Sequence, residues 1–360
     1  MNESNEKRRI AFFLGSMGAG GAERVISILS RHFAEEGFAT DIGALLRYEQ
    51  FYQLDQTTRF LDFTGGNGSR WRRVPYWLRS IRSYVKQEKP DVIVSFAARI
   101  NILVVLSCFG LGVKVIVSER NDPRFDTRGK LGDLLTKLLY PYAYAIVFQT
   151  KRAMDYFSAR IKNKGRIIYN PVSVHVQAAQ QRTPKIVTVG SLKEQKNHRL
   201  LIQAFQVILQ SHPDYQLWIY GEGELREELE KLICENGLQD NVFLPGTKKD
   251  VLERIRDAEV FVMSSDYEGL SNAFLEAMMM GLTVVSTECA GADEIIEDHV
   301  NGLLVPTGDR DALAKAILYC IENPAEAKRL GENAAHTSKS FSFKTVFRQW
   351  DALVNKALTE

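Results

Sequence analysis

No stretch of the 360-residue chain is apolar for long enough to span a bilayer; the longest apolar runs have strand or short-helix length. Cysteine is scarce. Cys108, Cys234, Cys289 and Cys320 have no metal-ligand spacing and lie in apolar or helical contexts, so they read as buried free thiols in a reducing compartment. Net charge is only +2, which argues against a nucleic-acid partner, as no nucleic-acid motif accompanies the one basic stretch. A signal peptide is not expected, because the short apolar run after MNESNEK leads into glycines and an amphipathic helix. A cytosolic chain is the expectation, with 45% hydrophobic and 25% charged residues as in soluble globular proteins. Its length suits two domains.

What is present is an alternation of strand-like and helix-like segments. Strands are expected at 9–15, 40–46, 59–63, 91–96, 114–119 and 145–150 in the first half. The second half repeats the pattern at 185–191, 216–222, 241–246, 259–265, 283–288 and 302–306. Many are continuous Val/Ile/Phe runs, the pattern of a parallel sheet covered on both faces. Helices are expected at 22–36, 74–88 and near 129–141, and three more follow LLVPTGD, the last at 343–358. Residues 171–184 are polar, lack helical periodicity and read as a linker. Two tandem Rossmann-like α/β domains result, one over 1–170 and one over 185–340, with a final helical segment at 341–360.

Ligands in such sheets bind beyond the carboxyl ends of the strands. Three loops there are candidates. After the first strand, GSMGAGGAER places Gly18, Gly20 and Gly21 where backbone could approach an anion, although a plain tight turn also fits. A dinucleotide fingerprint fits poorly, since Glu23 stands where a third glycine belongs, and this argues against an NAD-dependent oxidoreductase. The second loop, VGSLKEQKNH, carries Ser191, Lys193 and Lys196 ahead of a helix; alone, these read as solvated lysines. The third is EGLSNAFLE, with Glu268 and Glu276 at its ends and a helix start near Ser271. Amides from Leu270 to Asn272 could hold a diphosphate, while Glu276 and Glu268 could accept hydrogen bonds from a ribose diol and from sugar hydroxyls. Glu276 lies in a helix apolar nearly all round, where a carboxylate needs a partner.

Taken in order, Gly-Gly-Ala-Glu, VGSLKEQKNH, the Glu268/Glu276 pair and NGLLVPTGD resemble the retaining, nucleotide-sugar-dependent glycosyltransferases of family four, which have the GT-B fold. Within that family the chain is similar to bacterial enzymes that build polysaccharides or glycans on polyprenyl-diphosphate lipids. The resemblance implies an α/β GT-B chain: an N-terminal acceptor-binding domain, a C-terminal donor-binding domain, a deep cleft between them and a C-terminal helix crossing back. It also implies a hexosyltransferase that moves a hexose or N-acetylhexosamine from a nucleoside-diphosphate sugar, most simply UDP-linked, to a polyprenyl-diphosphate-linked glycan. Alternatives are a GT-B nucleotide-sugar epimerase and a GDP-mannose-dependent mannosyltransferase.

By the same resemblance, Glu276 would bind ribose, Glu268 the donor sugar, and Gly269, Leu270, Ser271, Asn272 and Lys196 the diphosphate, with Gly18, Gly20 and Gly21 closing over it. Ser191 stands where the family usually has arginine. No histidine occurs between His32 and His175, so a histidine base in the N-terminal domain is not expected. Arg120 in SERND is the candidate for stabilising phosphate or orienting the acceptor, with a Glu119–Arg120 structural pair as the competing account. No Asp-x-Asp constellation stands out, so no metal and no cofactor are expected. Residues 68–90 are strikingly basic for their length, and they suggest contact with anionic membrane or lipid diphosphate through Arg72, Arg73, Trp77, Arg79, Arg82 and Lys86. The competing account is a domain helix with a solvated basic face. The implied location is cytoplasmic, peripheral on the inner face of the plasma membrane.

Overall fold

A computed structural model of the chain describes residues 7–18, 20–65, 70–125, 128–289 and 291–360. It divides into two compact units, Met1–Pro171 with Val346–Glu360, and Val172–Thr345. The strands of unit 1 are β1 (Arg9–Leu14), β2 (Ala39–Ala44), β3 (Arg59–Asp62), β4 (Val92–Phe96), β5 (Lys114–Ser118), β6 (Ala145–Phe148) and β7 (Gly165–Ile167). Its helices are α1 (Gly21–Glu35), α2 (Arg70–Glu88), α3 (Ala98–Cys108), α4 (Gly129–Leu139), α5 (Lys151–Asp155) and α6 (Ala159–Lys162). Unit 2 contains β8 (Thr183–Val189), α7 (His198–Leu209), β9 (Gln216–Tyr220), α8 (Arg226–Glu235), β10 (Val242–Phe243), α9 (Val251–Ile255) and β11 (Ala258–Met263). It continues with α10 (Asn272–Met280), β12 (Thr283–Thr287), α11 (Ala292–Ile295), β13 (Leu303–Val305), α12 (Arg310–Glu322) and α13 (Pro324–Ser338). Helix α14 (Phe343–Thr359) ends the chain.

Both sheets are parallel. Their strand orders are β3-β2-β1-β4-β5-β6-β7 and β10-β9-β8-β11-β12-β13. Side chains alternate between the two covered faces of the first sheet. Ala11 and Phe13 join Ile93 on one face, under α2 and α3; Ile10, Phe12 and Leu14 join Val92, Val94 and Phe96 on the other, under α1 and α14. Helix α14 covers that second face with Val346, Trp350, Leu353 and Val354, and Asp351 accepts from His32 Nε2 at 2.7 Å.

Three features differ from the sequence reading. Helix α3 escaped periodicity because ARINILVVLSC is apolar nearly all round and packs against both the sheet and its helical neighbours. Strand β7 has three residues, too few for a pattern. Residues 171–184 are not a free linker: Val172 donates to the Phe341 carbonyl, Ala178 to Met280 and Ala179 to Arg256, and β8 already begins at Thr183.

Candidate functional site

In each sheet, strand order reverses once, between β1 and β4 in unit 1 and between β8 and β11 in unit 2. The crevice outside the carboxyl ends of strands at such a reversal is where open α/β sheets bind ligands. In unit 2 the loops leaving β8 and β11 are the two that the sequence singled out.

They are tied together by polar contacts over about 70 positions of sequence. The Asp266 amide donates to the Gln195 carbonyl at 2.9 Å, and Gln195 Nε2 donates to the Tyr267 carbonyl at 2.9 Å. Asn197, in the left-handed conformation with φ 45°, caps α7 and donates Nδ2 to Asp266 Oδ1 at 2.8 Å. Ser264 Oγ donates to the Lys196 carbonyl. Within this frame Lys196 Nζ donates to Glu268 Oε1, and Ser265 Oγ donates to the same oxygen at 3.0 Å. Glu268 is only 7% exposed, so its charge is held by a cation and a hydroxyl rather than by water. Lys196 and Glu268 are therefore a matched pair, where the sequence alone read a solvated lysine.

Ser271 is the N-cap of α10, its Oγ accepting from the Phe274 amide at 3.4 Å, and Leu270 is buried beside it. Glu276 is 2% exposed, in the second turn of α10 between Leu275 and Ala277. Gly269 is approached closely by the loop after β12: a Cβ on Gly291, at φ 97°, would lie 2.1 Å from the Gly269 carbonyl oxygen. Ser191 remains part-buried, and its carbonyl accepts the Nε2–H of His198 at 3.2 Å. Burial pushes His198 down to about 4, against the Ser191 hydrogen bond and with repulsion from Lys196 adding to the drop. The imidazole is thus neutral at pH 7, and of the two lysines in this loop Lys196 is the one paired with Glu268. Lys193 is exposed. Cys289, whose thiol burial and the Glu268 charge push up to about 12, lines the same region as an inert group. Asn197 was legible only as a helix start and Asp266 only as part of a turn, and Gly291 carried no signal beyond that of a glycine after β12.

One Asp-x-Asp does occur in the sequence, Asp309-Arg310-Asp311. It is a helix start: Asp309 Oδ1 accepts from the Ala312 amide at 2.9 Å, and Asp311 pairs with Arg310 at 2.7 Å.

In unit 1, Gly20 is the N-cap of α1 and Gly21 its first residue. A Cβ on Gly20 would lie 2.1 Å from Glu23 Oε2, so the carboxylate of the first turn already folds back over this helix start. Gly18 has Glu49 beside it instead, at 3.0 Å from a built Cβ. Arg120 follows β5. Its Nη2 donates to Asn170 Oδ1, its Nη1 to Ser118 Oγ at 3.2 Å, and the guanidinium lies 4.4 Å from the Phe96 ring centroid. Burial lowers Arg120 to about 9, opposed by the charge of Glu23, so it stays cationic at neutral pH. Gln149, 3% exposed at the end of β6, donates to Asn170 as well. Glu119 does not pair with Arg120. Its buried partners are Arg128, at 2.9 Å, and the Tyr140 hydroxyl. Ala97, at the end of β4, holds φ 75° and ψ 133°, a conformation that strains any residue with a Cβ.

The basic surface expected along α2 is only partly there. Trp77 is 3% exposed and belongs to the core with Ile81 and Val85, because the stripe it heads faces the sheet. Arg73 turns inward, donating to the Thr64 carbonyl at 3.3 Å with its guanidinium 5.2 Å from the Trp77 ring centroid. Arg82 donates to the carbonyls of Ser107 and Phe109, where a cation suits the carboxyl end of α3. Arg79 and Lys86 are exposed. The Arg72 side chain lies outside the described residues.

Comparison with known proteins fits this arrangement. The model for Glycosyltransferase Family 4 matches residues 19–176, and that for Glycosyl transferases group 1 matches 173–337. The lipopolysaccharide core biosynthesis glycosyltransferase LpsE of Rhizobium meliloti is 30% identical over 71% of this chain and 73% of its own. The chain belongs to this glycosyltransferase family. A Campylobacter jejuni relative of this glycosyltransferase, N-acetylgalactosamine-N,N'-diacetylbacillosaminyl-diphospho-undecaprenol 4-alpha-N-acetylgalactosaminyltransferase, is 26% identical over 96% of this chain and 98% of its own. Among solved structures, Anabaena HepE in complex with UDP and glucose superposes with TM-score 0.83 at 19% identity, covering 96% of this chain and 99% of that one. The fold is GT-B.

Proposed function

We propose that this glycosyltransferase moves a hexose or N-acetylhexosamine from a UDP-sugar to a glycan carried on polyprenyl diphosphate, with retention and without a metal ion. The observation that carries the reading is the part-buried Lys196–Glu268 pair at the strand reversal of unit 2, with the start of α10 and Glu276 following it. Such a constellation suits a nucleoside-diphosphate sugar: Lys196 and the amides before α10 face the diphosphate, Glu276 accepts from ribose hydroxyls, and Glu268 accepts from the sugar. The UDP complex of HepE and the lipid-diphosphate substrate named for the Campylobacter relative support donor and acceptor class respectively.

The chemistry then asks for positioning and charge stabilisation more than for proton transfer by side chains. As the bond from the anomeric carbon to the diphosphate lengthens, an oxocarbenium-like centre forms and negative charge grows on the leaving oxygen. Lys196 is already in place to meet that charge, and its own partner Glu268 stays beside the sugar. On the same face the acceptor's hydroxyl oxygen bonds to the anomeric carbon while the departing phosphate takes its proton. Arg120, cationic and fixed by Asn170 and Ser118, orients the acceptor or its phosphate. Peripheral attachment to the inner face of the plasma membrane follows from a lipid-linked acceptor.

Calorimetric titration with UDP, GDP, ADP and NAD in the presence of a chelator tests the reading. Selective UDP binding supports it. Preference for GDP would redirect it to mannose-type donors, and NAD binding would refute a transferase site.

A further inference from the structure

We propose that the outward face of α4 is a docking surface for an anionic lipid bilayer; this deepens, and rests on, the lipid-linked acceptor proposed above. Leu131, Leu134 and Leu138 recur at helical spacing along α4 and are 55%, 52% and 56% exposed. Tyr142, one turn further, is 58% exposed and packs edge-on against Phe109 at the end of α3, with ring centroids 5.2 Å apart. These leucines are not the residues that hold the helix down. That role falls to Thr136, 1% exposed, and to the part-buried Leu135 and Leu139 against the core under α3. Helix α4 is therefore apolar on two sides, and only one is used within unit 1.

Charge decides what the second side meets. Lys130 and Lys137 are exposed on α4. At about 100° per residue they fall within about 60° of Leu134, so the stripe carries an ammonium group along one edge. Such lysines can lay their stems on the apolar surface and keep their charges at headgroup level. Unit 1 as a whole holds 29 Lys and Arg against 18 Asp and Glu, a net of +11, and unit 2 holds 17 against 26, a net of −9. An exposed leucine stripe edged by lysines, on a unit of net +11, matches an anionic bilayer in both its apolar and its charged components. A second copy of the chain would bring the same positive charge to the contact.

Co-sedimentation with phosphatidylcholine vesicles, with and without phosphatidylglycerol, tests this. The whole chain should bind the phosphatidylglycerol vesicles, and salt should weaken that binding. The triple variant L131S/L134S/L138S should partition about 100-fold more weakly, roughly fivefold per leucine, since about half of each side chain remains to be buried. The double variant K130E/K137E should lose the preference for phosphatidylglycerol. Because the three leucines are surface residues of unit 1, UDP binding by the triple variant should match wild type, and an unchanged circular-dichroism spectrum and melting curve report that unit 1 is folded. Equal partitioning of wild type and triple variant overturns the proposal, and so does absence of wild-type binding to either vesicle. A dimer that the triple variant converts to monomer in light scattering, with vesicle binding unchanged, assigns the stripe to self-association and also overturns it. Loss of UDP binding in the wild type would instead sink the donor-site reading and leave the vesicle result standing.

Discussion

The two units share a strand order and differ in almost everything laid over it. Both run from an edge strand inward, reverse at one point and continue outward. Unit 2 has net charge −9, and of its large apolar side chains among the described residues only Val300 is markedly exposed. Unit 1 has net charge +11 and shows eleven such side chains, from Tyr48 to Tyr156. Their site edges differ in the same sense. In unit 2 a lone lysine is held by a buried carboxylate, whereas in unit 1 an arginine is held by neutral oxygens with Glu23 as its counter-charge. The lesson is that sheet topology chooses where loops gather, while the charges set into those loops choose the ligand. In the reading proposed above, unit 2 takes a small soluble donor and unit 1 takes a lipid-borne acceptor.

The largest effect expected is at Lys196. In Lys196→Ala, Glu268 loses its cation and, in the proposed reading, the leaving diphosphate loses a counter-charge, so kcat should fall on the order of 10³-fold. A fall below tenfold in steady-state kinetics would take Lys196 out of the site. Arg120→Lys should sharpen the division of labour. The planar fork that reaches Ser118 and Asn170 together is lost, so kcat should drop about 100-fold while the UDP dissociation constant, read by calorimetry, stays unchanged. Weaker UDP binding in this variant would break the assignment of donor contacts to unit 2. Glu276→Ala should do the reverse, raising the UDP dissociation constant about 10-fold or more with a smaller change in kcat.

Acid should affect unit 2 through His198. Its folded value of about 4 lies below the ordinary 6.5, so the unfolded chain binds the proton more readily. The stabilisation is complete above about 6.5 and is lost as pH falls through about 4, with a full size of roughly 3 kcal/mol. His198→Gln can still donate to the Ser191 carbonyl but does not titrate in this range. Its thermal stability should therefore decline less than wild type between pH 6.5 and 4; parallel declines in calorimetric scans would contradict the burial account.

Most of the fold was legible because parallel strands such as VIVSF and KVIVS are apolar on both faces and stand out without knowledge of their partners. Helix α3 was not, for the same reason: burial on several sides erases the 3.6-residue period that marks a helix. Along α2 the period was plain but the side facing it was misjudged, since a stripe of Trp77, Ile81 and Val85 looks the same whether it meets a sheet or a membrane. The exposed stripe of α4 sat inside a segment that the sequence marked only as helical. At the candidate site, Glu268 and Glu276 stood out by loop position and Lys196 only through the family resemblance, yet the ion pair joining residues 72 positions apart depends on the β8–β11 adjacency that no local pattern encodes.

Hydrogen–deuterium exchange of the whole chain, with UDP and separately with phosphatidylglycerol vesicles, tests the division between the two units most directly. The account expects UDP to slow exchange in 190–197 and 264–276 and leave 129–142 unchanged, and vesicles to slow 129–142 alone. Protection of 129–142 by UDP, or of 264–276 by vesicles without nucleotide, would contradict it.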